Sequence, residues 1–61
     1  MDSKEIHELM QARTPVIYNG VQYDRIAEYV SWFDKDGKHH LSVNLIRDNY
    51  TIRVPANKIS L

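Results

Sequence analysis

Between Val21 and Val54 the chain reads as one β-rich stretch folded on itself by two short polar turns, and this confines the protein to a single small sheet system. Val21, Tyr23 and the run from Ile26 to Phe33 predict a long strand. Leu41, Val43 and Leu45 then alternate with Ser42 and Asn44, and Tyr50, Ile52 and Val54 alternate with Thr51 and Arg53. Alternation with period two puts the apolar side chains on one face of a pleated strand. Asp34-Lys35-Asp36-Gly37-Lys38 and Asp48-Asn49 supply the turns, and Pro55 ends the last of these strands because it lacks a ladder donor. The phase of the long strand is ambiguous: Ile26, Val30 and Trp32 share one parity, Ala27, Tyr29 and Phe33 the other. Either both of its faces are covered, or it bends through a bulge near Asp24-Arg25 and serves two sheets. Strong bending of that kind is what a small closed barrel needs.

The flanks complete the plan. Asp2 or Ser3 can cap a helix, with Glu5 three residues beyond Asp2. Ile6, Leu9, Met10 and Arg13 follow at helical spacing, with Lys4, Glu5, Glu8 and Gln11 on the other face. Thr14-Pro15 stops the helix, because the residue before a proline is driven out of the α region. A helix of three turns is marginal alone, so its stripe must dock on the sheet. Val16-Ile17-Tyr18 reads as a short strand leading into Asn19-Gly20, where a type I′ turn takes positive φ at both residues. Ala56-Asn57-Lys58 suits one tight helical turn before a last strand, Ile59 to Leu61. The expectation is a mainly β (α+β) single domain over 1–61: a helix at about 2–13, then a small five-stranded antiparallel barrel at about 15–61.

With 61 residues and no cysteine, the chain has neither a disulfide framework nor thiolate metal ligands to supplement its core. A domain this short buries only about 60% of its unfolded surface, so the core must be efficient or an oligomer must help it. Eight basic residues balance eight acidic ones, leaving no net field to draw the chain to nucleic acid or anionic membrane. No apolar run approaches the roughly 20 residues of a membrane span. Met1-Asp2-Ser3-Lys4-Glu5 lacks the basic and apolar regions of a signal peptide. These features predict a cytoplasmic protein, and the initiator methionine without a tag suggests a complete natural chain.

Catalytic chemistry is poorly represented. There is no serine–histidine–aspartate ordering, no His-Glu-x-x-His, and two glycines cannot build a phosphate cradle. The carboxylates Asp24, Glu28, Asp34, Asp36 and Asp48 sit mostly at turns, as solvated turn formers do. His39 and His40 are adjacent, so on a strand they point to opposite faces and cannot chelate one ion. Asp34-Lys35-Asp36-Gly37 lacks the third acidic position and the closing glutamate of a calcium loop. The expectation is therefore no enzyme, no metal and no cofactor. The aromatic residues carry more information. Tyr18, Tyr23, Tyr29, Trp32, Phe33 and Tyr50 populate or flank the strands, and the neighbours Trp32 and Phe33 cannot both enter one core face. Surface Tyr and Trp anchor protein contacts through large rigid area and a polar tip.

The helix, the bent meander and the one-turn helix before the last strand together resemble small β-barrels of the SH3-like and Sm-like types. Arg13-Thr14-Pro15-Val16, Asn19-Gly20, Trp32-Phe33-Asp34 and Ile59-Ser60 follow the order of signals in bacterial Sm-like RNA chaperones. That resemblance implies the barrel and RNA as a ligand, but the arginine-rich rim reduces here to Arg13 beside Gln11 and Ala12. The family's lysine-histidine pair is replaced by Asn57-Lys58. Pro55-Ala56-Asn57-Lys58-Ile59 looks like the segment before the last strand of SH3 domains, with Lys58 where their ligand-stacking tyrosine stands. In size and style the chain also resembles small proteins of bacteria and their phages.

The reading from sequence is a non-enzymatic protein-interaction module that self-associates or binds and blocks a protein partner. Tyr29, Trp32 and Phe33 form the expected contact, with Arg47 and Arg53 as polar anchors, and an uncovered last strand could pair with another chain's edge. The alternative is an Sm-like RNA-binding protein using Arg13, Arg25, Arg47, Arg53 and Lys58.

Overall fold

The computed structural model of the chain describes residues 2–61. A helix, α1 (Ser3–Ala12), precedes six strands: β1 (Val16–Tyr18), β2 (Val21–Tyr23), β3 (Arg25–Phe33), β4 (His39–Arg47), β5 (Tyr50–Pro55) and β6 (Ile59–Ser60). One 3₁₀ turn, Ala56–Lys58, separates β5 from β6. The strands form two antiparallel three-stranded sheets, ordered β2-β1-β6 and β3-β4-β5. The mainly β class and the N-terminal helix agree with expectation. The closed five-stranded barrel does not: there are six strands in two sheets, and the sheets do not close.

The extra strand arises at Asp24. There the anticipated long strand divides into β2, paired with β1, and β3, paired with β4. The Asp24 N–H still donates to the Ile46 carbonyl at 2.7 Å, which holds the corner against β4. Closure fails at the other end because β5 terminates in a proline, and the 3₁₀ turn carries the chain away to pair β6 with β1.

Just past the corner the register slips by one residue. Ile26 opposes Leu45 and Glu28 opposes Asn44, so Ala27 is the additional residue of a β-bulge. Without the bulge Glu28 would oppose Val43, in the middle of the core; with it, Tyr29 opposes Val43. This settles the phase ambiguity in favour of a stretch that bends at Asp24 to serve two sheets, as expected, with the bulge itself lying further on, at Ala27.

Nine side chains form the core: Ile6, Val16, Tyr23, Ile26, Val43, Leu45, Val54, Ala56 and Ile59, at least one from each helix and strand and one from the 3₁₀ turn. Helix α1 is fixed by local chemistry at both ends. Asp2 Oδ1 accepts from the Glu5 N–H at 2.9 Å, and Arg13 closes the helix in the left-handed region at φ 53°. Its stripe buries Ile6 completely and Leu9 and Met10 in part, with β3 as the principal sheet contact. Asn19 and Gly20 both take positive φ, 53° and 76°, as a type I′ turn requires.

Leu45 and Val43 lie on the central strand of the larger sheet with no exposed surface. Replacing Leu45 by alanine leaves a cavity and is expected to cost about 2–5 kcal/mol. For a domain this small that is a large share of the available stability, so urea titration at 25 °C should place the unfolding midpoint of Leu45→Ala far below that of wild type.

Candidate functional site

β5 ends at Pro55, which opposes Ser42. β3 and β4 continue for three more rows, Ser31–Leu41, Trp32–His40 and Phe33–His39. The larger sheet therefore narrows to a two-stranded arm at one end of a molecule measuring 35 × 21 × 18 Å. Trp32 and Phe33 lie at the end of this arm and point to opposite faces, exposing 43% and 70% of their surface.

The tip of the arm is a closed hydrogen-bonded loop. Asp34 Oδ1 accepts from the N–H groups of Asp36 at 2.9 Å and Lys38 at 3.0 Å, the Asp34 N–H donates to the Lys38 carbonyl, and Gly37 provides φ 82°. The second carboxylate oxygen accepts from His40 Nε2 at 2.7 Å. The His40 ring, with the N–H groups of Lys38 and Asp36, holds the Asp34 carboxyl below the usual carboxylate range. Trp32 stacks on the same imidazole, centroids 4.4 Å apart and planes 20° from parallel, and its indole N–H donates to Ser42 Oγ at 3.3 Å. The tip loop, His40 and Trp32 thus form one continuous unit.

The outer face of the larger sheet is ordered in rows by the strand register. From the tip these are Trp32–His40, Val30–Ser42–Pro55, Glu28–Asn44–Arg53 and Arg25–Ile46–Thr51. In the third row Arg53 Nε donates to Asn44 Oδ1 at 3.0 Å, Asn44 Nδ2 donates to Glu28, and Arg53 Nη2 lies 3.9 Å from Glu28 Oε1. More than half of each charged side chain in that row is exposed, so the pair contributes little to stability and mainly orients the guanidinium.

The inner face carries Tyr29, Ser31 and Phe33 beyond the core. Tyr29 is half-buried and meets His7 of α1 edge-on at 4.6 Å. Ser31 Oγ and His39 Nε2 share a hydrogen bond, and Phe33 leans on the His39 ring at 5.1 Å. A groove of about 550 Å³ runs between this face, the start of α1 at Asp2 and Ser3, and the turn at Pro55–Asn57.

Of the residues expected to contact a protein partner, Trp32 and Phe33 share the end of the arm, while Tyr29 belongs to the inner face and the edge of the core. Arg53 lies on the outer face with Trp32. Arg47 follows the parity of Leu45 and Val43, so it lies on the opposite face, at the far end of the sheet beside Tyr50. The neighbouring Tyr50 raises the pKa of that guanidinium, and burial raises that of the Tyr23 phenol. Tyr23 and Tyr50 meet at right angles, 6.5 Å apart. Of the residues in the RNA alternative, Arg25 and Arg53 share the outer face, with Glu28 in the intervening row. Arg13 caps the helix, Arg47 lies on the opposite face and Lys58 ends the 3₁₀ turn.

Sequence reasoning did not single out the two histidines as aromatic partners, although the five-residue turn pairs position 33 with 39 and 32 with 40. Among the described residues no group of three or more His, Asp or Glu is placed to hold a metal ion, and no helix is long and apolar enough to cross a membrane. No protein-family model, curated protein or solved structure matches the chain.

The depressed Asp34 pKa has a definite consequence. Stabilisation from this group is complete above the ordinary carboxylate range and is lost as pH falls through the lowered value. Asp34→Asn should reduce stability at neutral pH and flatten the acid limb of a stability–pH curve. Trp32 fluorescence, reporting from the stacked imidazole, should lose its acid transition in the same variant.

Proposed function

We propose that the chain is a non-enzymatic binding module that engages a protein partner through the arm formed by β3 and β4. The observation that supports this most directly is the exposure of Trp32 and Phe33 at one end of the molecule, on opposite faces of a ribbon that no third strand joins. Large apolar side chains left in water at a projecting end are costly to solvate and gain most from burial in a partner's pocket. The His40–Asp34 unit holds the Trp32 ring in place, so little side-chain freedom is lost on docking. Arg53 on the outer face is the polar anchor of this contact. The kinship to SH3-like and Sm-like small barrels belongs to the same proposal, supported by a bent strand shared between sheets and a 3₁₀ turn before the last strand.

Arg25 and Arg53 on the face of Trp32 support RNA as a second reading, since an aromatic platform flanked by cations suits an unpaired base. The carboxylates of Glu28 and Asp34 among them, and the zero net charge, favour protein.

The test is affinity capture from the encoding organism with the wild-type chain, Trp32→Ala and Phe33→Ala, across a salt series and with nuclease. A protein retained by wild type at high salt and lost with either variant is the expected result. Phe33→Ala should melt within about 4 °C of wild type, because a substitution at so exposed a site changes stability by only about 0.5 kcal/mol. Trp32→Ala also gives up the His40 stack and the Ser42 hydrogen bond, and should melt up to about 8 °C lower but remain folded. Material that is RNA, or that is released steeply by salt, would overturn the protein reading in favour of the second.

A further inference from the structure

The free edge of β5 is the second unpartnered feature, and it is independent of the aromatic arm. The Asp24 N–H donates to the Ile46 carbonyl, so the backbone groups of Ile46 point towards β3. Strand alternation then points those of Leu45 towards β5, where Leu45 opposes Ile52. The N–H and C=O groups of Ile52 are therefore engaged with β4, and those of Thr51 and Arg53 point away from it. The two-residue loop Asp48-Asn49, flanked by the pair Arg47–Tyr50, requires the same phase. Among the described residues no backbone hydrogen bond reaches β5 from any element except β4. By comparison β6, the edge expected from sequence to recruit another chain, has only two residues.

A strand of this composition can pair with itself. In an antiparallel pair, opposed residues share a face, so a two-fold β5–β5 contact must centre on a residue. Centring on Arg53 sets two guanidinium groups against each other, which is unfavourable. Centring on Ile52 opposes Ile52 to Ile52 on the inner face, Tyr50 to Val54, and Thr51 to Arg53 on the outer face. Thr51 and Arg53 are the residues with outward backbone groups, so this register satisfies all four N–H and C=O pairs of the two edges with no like charges opposed.

We infer that a second copy of this chain pairs with the β5 edge, antiparallel and centred on Ile52, to form a continuous six-stranded sheet across a two-fold axis. The paired segment, Tyr50 to Val54, is about 17 Å long. Such a contact falls in the small, weak and transient interface class, so the dimer forms at high protein concentration.

Sedimentation equilibrium over a wide concentration range should show the mass rising from 7.2 kDa towards twice that value. Thr51→Pro removes an outward N–H that β4 does not use, so it should keep the fold and weaken the dimer by at least about tenfold. Trp32→Ala and Phe33→Ala should leave the dimer unchanged. The chain has no cysteine, so introduced thiols can only link two copies. Ile52→Cys should oxidise to a linked dimer at least about tenfold faster than Thr51→Cys or Arg53→Cys, since only Ile52 faces its own copy at the short Cα spacing of about 4.5 Å. A mass fixed at the monomer value at every concentration overturns the inference. So does a dimer that survives Thr51→Pro, one that is lost with the arm variants, or equal oxidation of all three thiols.

Discussion

The fold depends on keeping Glu28 out of the core. A strand running unbroken from Ile26 would set that carboxylate against Val43, where an ionised group without a partner costs several kcal/mol. The bulge at Ala27 removes the conflict by adding one residue to β3. Glu28 then faces solvent beside Asn44 and Arg53, and Tyr29 takes the place over Val43. Every row towards the tip inherits this phase. Because of it, Trp32 stacks on His40 and Phe33 meets His39, each pair on its own face. The chemistry of the arm is thus set by one residue at the base of the sheet.

The core is small, and it draws on the whole chain. Ile6 comes from the helix, Val16 and Ile59 from the smaller sheet, Val43, Leu45 and Val54 from the larger one, and Ala56 from the 3₁₀ turn between β5 and β6. No element has a private cluster to stabilise it alone. The helix is held at its ends by Asp2 and Arg13 and along its length by burying Ile6, so its formation is coupled to that of the sheets. The groove beside Tyr29 and Ser31 lies outside this core and opens to water.

Local chemistry in the sequence located most elements. Asn19-Gly20, Asp48-Asn49 and the Asp34–Lys38 turn mark three reversals, and Pro15 and Pro55 mark two terminations. The faces of Arg47 and Arg53 were also legible, because a two-residue turn at Asp48-Asn49 pairs Arg47 with Tyr50 and Asn44 with Arg53, which forces opposite parity. The site of the bulge was not legible. An extra residue anywhere from Asp24 to Glu28 is compatible with the local pattern, and only the opposing strand, through Val43 and Asn44, selects Ala27. The failure of the barrel to close was hidden for a similar reason. It depends on where the 3₁₀ turn delivers Ile59, and that is decided by pairing with Tyr18 at long range.

The shortness of β5 has a consequence for how the arm works. Beyond Pro55 the last three rows are a two-stranded ribbon, and isolated ribbons are marginally stable in water. These rows can open while the nine-residue core stays intact, so amide exchange should grow faster stepwise from Val43 to the tip. The carboxylate network of Asp34 acts against this fraying and fixes the fraction of molecules whose terminal rings are in place at any instant. On the proposed reading of the arm as a docking surface, apparent affinity would scale with that fraction, and the strength of the tip loop would be carried into recognition.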